Sequence, residues 1–305
     1  MRECGVALIA ILLSAACRQL QPAAGPRIDP ALAMLVPPDT SILVGARLDQ
    51  LRNTAVYQRH ASRIALPRID EFARETGVDP RRDLQEALFC SNGRDRAVLL
   101  VRGTFTPAQI EPKLQKRGVK PQSYKGYTLF GDERGAVFFL NAATALAGAT
   151  PALREIIDGR GRNLLGIPKP LQPLLASLRA SDQFWTVFNG SAIRLPAPDD
   201  SNLGNINRLA RAVQTGAVGA DLQSGLSLRA HAACADDSSA RQIHDALKGL
   251  IGLGRLSAPD SQPDLLKVYD SIQVRLQGRE VSLSADVPQD LVDRFVNIFV
   301  EERRP

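Results

Sequence analysis

Apolar and polar positions along the chain follow two rhythms, a period of two that marks strands and a spacing of three and four that marks helix faces. Residues 41–47 (SILVGAR) read as a first strand, entered through the Pro37-Pro38-Asp39 turn. A helix follows from Asn53, breaks at Pro67 and resumes to Thr76, where Gly77 supplies a C-terminal stop. Residues 88–92 and 97–102 make a hairpin around a polar turn. Thr106-Pro107 opens the next helix, Thr as N-cap and Pro as first residue, and Gly118 ends it. A second hairpin joins residues 127–130 to 136–140, a short strand lies near Leu146, and Thr150-Pro151 starts a helix that ends at Gly159.

After a stretch rich in proline and glycine at 160–173, the same succession returns. Residues 184–189 are a strand, 203–213 a helix, and 217–222 with 226–235 a hairpin. Asp237 or Ser238 caps a helix to about residue 253. Residues 271–276 and 281–285 pair around Gln277-Gly278-Arg279-Glu280, and a last helix over 288–300 puts Leu291, Val292, Phe295, Ile298 and Phe299 on one face. Each half therefore reads strand, helix, hairpin, helix, hairpin, helix. The fold class is α+β, with two similar halves of antiparallel hairpins and helices packed on one face. Two halves packed together are expected ahead of one continuous sheet.

The first sixteen residues have a different character. A short positive start, an apolar run of about a dozen residues and a small-residue exit make a secretory signal peptide, and the run is well short of the ~20 residues that span a bilayer. Leu13-Ser14-Ala15-Ala16-Cys17 resembles a bacterial lipobox. That resemblance implies cleavage before Cys17, diacylglycerol on its sulfur, and a protein that is exported, periplasmic or outer-surface, and membrane-anchored. Ser14-Ala15-Ala16 would equally suit an ordinary signal peptidase, leaving a plainly secreted protein. The organisation is then signal peptide 1–16, tether 17–30, first half 31–159, linker 160–180 and second half 181–305. Met34-Leu35-Val36-Pro37-Pro38-Asp39-Thr40, residues 44–51, Tyr57, Gly126-Tyr127 and Ala145-Leu146-Ala147-Gly148 resemble uncharacterised secreted proteins of soil bacteria. That likeness implies no activity.

Composition narrows the partners. A net charge of +6 and a pI near 9.4 would suggest nucleic acid in a cytosolic protein. An exported chain meets anionic head groups and polysaccharide instead, so nucleic acid is not an expected partner. Preference for arginine in a GC-rich genome explains the same charge without any partner. Arg52, Arg59 and Arg63 recur at helical spacing as a basic stripe that can rest on an anionic surface or stand as a solvated face.

Chemistry is sparse. Neither Gly-x-Ser-x-Gly nor Ser-x-x-Lys occurs, and His60, His231 and His244 lack zincin or finger spacing, so no catalytic residue, metal or cofactor is indicated. His231 shares the outer face of its strand with Ser227 and Arg229, as a solvated residue would. Gly249, Gly252 and Gly254 end a helix, whereas phosphate loops open one. Asp199-Asp200 and Asp236-Asp237 each precede a helix and read as caps. Cys90 and Cys234 are expected as two buried free thiols ahead of a disulfide. The resulting expectation is a lipid-anchored envelope protein that binds or scaffolds an envelope protein or anionic polymer. The alternative is a hydrolase-like envelope enzyme with dispersed active-site residues.

Overall fold

A computed structural model describes residues 25–64, 66–162, 164–190, 211–259 and 262–302. The signal peptide, Cys17, the Asp199-Asp200 pair and most of the expected helix at 203–213 lie outside the described residues; Val213 itself opens a strand. The strands are β1 (Ile42–Arg47), β2 (Leu84–Ser91), β3 (Ala97–Gly103), β4 (Pro121–Tyr124), β5 (Tyr127–Gly131), β6 (Ala136–Asn141), β7 (Thr144–Gly148), β8 (Phe184–Asn189), β9 (Val213–Asp221), β10 (Gly225–Cys234), β11 (Ile272–Gln277) and β12 (Glu280–Pro288). All twelve join one antiparallel sheet in the order β11-β12-β10-β9-β8-β1-β2-β3-β7-β6-β5-β4.

Two similar halves meet at the β1–β8 seam. Outward from it the first half runs β1-β2-β3-β7-β6 and the second β8-β9-β10-β12-β11, so corresponding strands take corresponding places. The first half adds the β4–β5 hairpin beyond β6. The sheet is continuous because β1 and β8 are apolar on both faces, which suits central strands and would leave a sticky edge if either ended the sheet. They pair from Ile42 opposite Phe188 to Ala46 opposite Phe184.

Helices α1 (Pro30–Ala33), α2 (Leu48–Arg52), α3 (Ala55–His60), α4 (Pro67–Thr76), α5 (Pro80–Asp83), α6 (Pro107–Lys116), α7 (Thr150–Arg160) and α8 (Gln172–Ala176) cover the first half and the seam. In the second half, α9 (Asp237–Leu256) and α10 (Pro263–Ser271) precede the last hairpin, and α11 (Gln289–Glu302) follows it. Pro67 opens α4, and Gly77 closes it in the left-handed region at φ 79°, its N–H on the Ala73 carbonyl at 2.8 Å. Thr106 takes the N-cap position and Pro107 opens α6, as expected, with no bond from the Thr106 side chain; Thr150 instead lies inside α7 and donates its hydroxyl to the Asp132 carbonyl at 2.6 Å. The cap of α9 is Asp236, the first of the expected Asp236-Asp237 pair rather than Asp237 or Ser238, accepting from Ser239 N–H at 2.7 Å.

The main core gathers Leu43, Leu88, Leu100, Leu146 and Val187 beneath Leu153 and Ile156 of α7. Residues 160–180 add Leu171, Leu175 and Leu178 to it. Truncating one such leucine to alanine typically costs about 2–5 kcal/mol. A second cluster sits under α4 and α6, around Val101, Phe105 and Ile110. A third, around Cys234, Ala240 and Val281, sits under α9. Cys90 belongs to the main core and Cys234 to the third cluster, and both are free thiols. Burial pushes the Cys90 thiol up to about 12, so it is not a nucleophile at neutral pH.

Candidate functional site

Residues directly opposite one another in an antiparallel ladder point to the same face. Leu43, Val187, Ala217, His231, Ser282 and Arg275 make one such row across β1, β8, β9, β10, β12 and β11. Gly45, Trp185, Gly219, Arg229, Ser284 and Gln273 make the next. Both rows start in the apolar core and turn polar on reaching β10. There the sheet floors a cleft of about 610 Å³, walled by Ser177, Leu178, Arg179 and Asp182 from the chain just after α8. Asp182 is 1% exposed and lies over Gly219, where an added Cβ would fall 2.1 Å from its Oδ2. Arg179 holds that carboxylate through Nε and Nη2 at 3.1 and 2.8 Å and reaches Ser227 Oγ at 2.9 Å. Arg229 grips Asp286 at 3.0 and 2.9 Å.

His231 is therefore half-buried in this cleft, not simply solvated, and burial holds its imidazole below the ordinary histidine value while the Glu280 charge pulls it back up. Its Nε2 lies 2.8 Å from Ser177 Oγ. The pair has the spacing of a nucleophile and its base, but not the proton arrangement. Ser177 Oγ is also 2.6 Å from the Leu174 carbonyl, which can only accept, so the serine hydrogen points there and His231 Nε2 donates. Among the described residues, no group orients the other imidazole nitrogen, as an activating histidine requires.

A second concavity, of about 410 Å³, has an apolar lining and lies in the first half between the sheet and the α4–α6 pair. Phe72 of α4, Ile110 and Leu114 of α6, Leu99 and Val101 of β3 and Phe139 of β6 line it, with Phe105 and Phe139 in tilted contact at 5.5 Å. Phe72 and Leu99 are 45% and 38% exposed, so the apolar surface continues to the mouth. Arg117 pairs with Glu75 across the two helices that roof it. A wider depression of about 890 Å³ beside the β5–β6 turn is shallow, and its Asp132 is spent accepting from the Arg134 and Gly135 N–H groups.

The arginine stripe has intramolecular partners. Arg52 donates to the Leu84 carbonyl at 2.7 Å, Arg59 pairs with Asp293, and Arg63 donates to Asn297 Oδ1 at 2.7 Å. His60, buried, places Nε2 2.8 Å from Asp293 Oδ1, so these residues join α3 to α11. His244 bonds its neighbour Asp245 at 2.8 Å. Among the described residues, no group of three or more His, Cys, Asp or Glu side chains is placed to hold a metal, and no helix is long and apolar enough to cross a membrane.

Glu86 is the other perturbed group. It accepts the Asp29 N–H at 3.1 Å, and burial, with the nearby Asp29 charge, raises its carboxyl to about 7. The folded state thus binds more protons than the unfolded chain between about 4.5 and 7, and this contribution to stability is lost as pH rises through that window. Glu86→Gln, which keeps an acceptor for Asp29, should gain about 1–2 kcal/mol at pH 8 after discounting for residual solvent, and nothing near pH 4.5. Urea titrations at the two pH values check this; an equal gain at both would place the charge in water.

No family model matches the chain, and no curated protein is detectably similar to it. Among solved structures, crystal form III of TP0453 is similar over 90% of this chain and 99% of that one, with a TM-score of 0.52 at 11% identity. Crystal forms I and IV of TP0453 give TM-scores of 0.48 and 0.49 at 9% and 8% identity. At such identity the likeness to form III is one of fold.

Proposed function

We propose that this is an exported protein held at a membrane by lipid on Cys17, and that its folded body binds one apolar molecule between the sheet and the α4–α6 pair. The cavity carries the reading. Its volume of about 410 Å³ is in the range of small-molecule sites, and the hydroxyl of Thr76 in its lining is already spent on the Phe72 carbonyl and the Val78 N–H at 2.7 and 3.1 Å. Apolar surface lining an open concavity is costly to leave in water, so an apolar occupant is favoured. The Ser177–His231 geometry gives no comparable support to hydrolysis.

Ala147 lines the cavity from β7, and Ala147→Phe would place a ring inside it. An apolar naphthylamine fluorophore should bind the wild-type protein saturably and be displaced by long-chain alkanes or fatty acids. Ala147→Phe should lose at least tenfold in affinity while keeping its thermal midpoint. Equal binding by the two proteins would remove the cavity from consideration.

A further inference from the structure

We infer that the polar cleft of the second half is a receptor for a phosphomonoester group, gripped by Arg275, Arg229 and the hydroxyls of Ser282 and Ser284. The site is separate from the apolar cavity and does not depend on it. Three guanidiniums, of Arg179, Arg229 and Arg275, line the cleft against two carboxylates, of Asp182 and Asp286. Arg179 is committed to the buried Asp182 and to Ser227. Arg275 bonds only Gln273 Oε1, at 3.1 Å, and has no carboxylate partner among the described residues. Glu280 shares this face of β12 but lies outside the cleft lining, so Arg275 keeps its donors for an incoming anion. Arg229 meets Asp286 through Nη1 and Nη2 in an exposed pair and gives its second Nη1 hydrogen to the Leu228 carbonyl at 3.0 Å, which leaves Nε–H and one Nη2 hydrogen for a second anion.

The register sets these groups around one spot. Ser282 stands directly between His231 and Arg275, and Ser284 directly between Arg229 and Gln273. Neighbouring strands are ~4.8 Å apart, and same-face residues along a strand ~6.8 Å. The two cations and the imidazole thus surround a patch two serines wide, the scale of a tetrahedral oxyanion. Such an anion has three or four acceptor oxygens and no donors, matching a lining rich in donors. A neutral sugar would leave the charge of Arg275 unanswered.

Charge explains why a dianion fits better than a monoanion. Burial biases His231 toward its neutral imidazole, and the ring shares this face of the sheet with Arg229 on its own strand, Glu280, Ser282 and Asp286 on β12, and Arg275 on β11, with Ser177, Arg179 and Asp182 in the wall. A dianion beside it favours the imidazolium, so binding should take up a proton. The group has two sources that the experiment separates, a soluble phosphate ester or a phospholipid head group. The cleft wall begins directly after α8, against which Gly25 packs, so the cleft lies beside the point where the chain leads back toward Cys17.

Titration calorimetry of the full chain with glycerol 3-phosphate, at pH 6.5 and pH 8 and in two buffers of different ionisation heat, tests this. One-site binding with proton uptake is expected. Arg275→Gln, on an exposed edge strand, should weaken it by about ten- to a hundredfold, the usual effect of losing a charged hydrogen-bond partner. Ser284→Asp, which sets a carboxylate in the grip, should abolish binding. His231→Gln should bind without proton uptake, and Arg241→Gln on α9 should match wild type. Flotation with phosphatidic acid vesicles, against phosphatidylcholine alone, distinguishes the sources: binding to both ligands or to either supports the receptor and names its source. Wild-type protein that binds neither, or Arg275→Gln and Ser284→Asp proteins that bind as wild type does, overturns it.

Discussion

Gly45→Val should destabilise the protein by at least about 4 kcal/mol, the range in which a large buried aromatic is displaced from its core. Gly45 sits on β1 opposite Trp185 of β8, at the seam that joins the two halves. An added Cβ would fall 2.1 Å from the indole Cε2 and Cζ2, so the indole lies across the backbone where a side chain would stand. Trp185 is 3% exposed, and the ring cannot shift without entering Val187, Leu43 or their neighbours in the main core. It is also the single tryptophan of the chain, so its fluorescence reports the seam directly. Urea denaturation followed at Trp185 should show a sharply lowered midpoint with red-shifted native emission. Gly45→Val/Trp185→Leu, which returns the space and is followed by far-UV circular dichroism because it has no tryptophan, should recover much of the loss in midpoint. A wild-type midpoint and emission maximum in Gly45→Val would mean that the seam is not packed as described.

That seam also marks how far the fold was legible in the sequence. Strands and hairpins were legible because alternation is a local signal: 184–189 is strand β8, and the turn at Gly278 joins β11 to β12. Gly77 was legible because a left-handed terminus has one common solution. The joining of the halves into one sheet was not, although β1 and β8 carry its signature in side chains apolar on both faces; which two such strands meet is a long-range fact. Short α2, α5 and α10 and the strand β4 went unread because their periods are too few to stand out. Thr106 caps α6 by position, whereas Thr150 falls inside α7, because a Thr-Pro pair marks a helix start without fixing where the hydroxyl goes.

The candidate sites were legible only in pieces. Ser227, Arg229 and His231 do form one face of β10, and the polar alternation of β11 and β12 continues it, but nothing local reveals that residues 177–182 wall that face into a cleft. The basic spacing of Arg52, Arg59 and Arg63 was real, yet two of the three meet α11, some 230 residues away in sequence. The apolar cavity was hidden more completely, since its lining residues look like any core. A core and an apolar binding site differ only in whether the space between them is filled.

Cys17→Ser should move the protein entirely from the membrane fraction to the soluble fraction. Two or three acyl chains on a lipoprotein cysteine hold firmly, whereas one chain binds only marginally. Among the described residues, no helix offers a second hold by spanning the bilayer. The tether is also shorter than 17–30 suggests, because its last residues are part of the body. Gly25 lies against the Leu175 carbonyl, Pro26 is buried, Ile28 packs on the main core, and Asp29 pairs with Arg102 at 3.1 Å. Cys17 stands eight residues before Gly25, a reach of at most ~29 Å even fully extended. A lipid on Cys17 would therefore hold α8 and the adjoining polar cleft within about that distance of the head groups. Fractionation after high-salt washing checks the anchor, with a folded, full-length soluble protein as the expected product. If Cys17→Ser protein stays with the membrane through that wash, the hold is elsewhere. If wild-type protein is soluble from the start, Ser14-Ala15-Ala16 is the exit of an ordinary secretory signal.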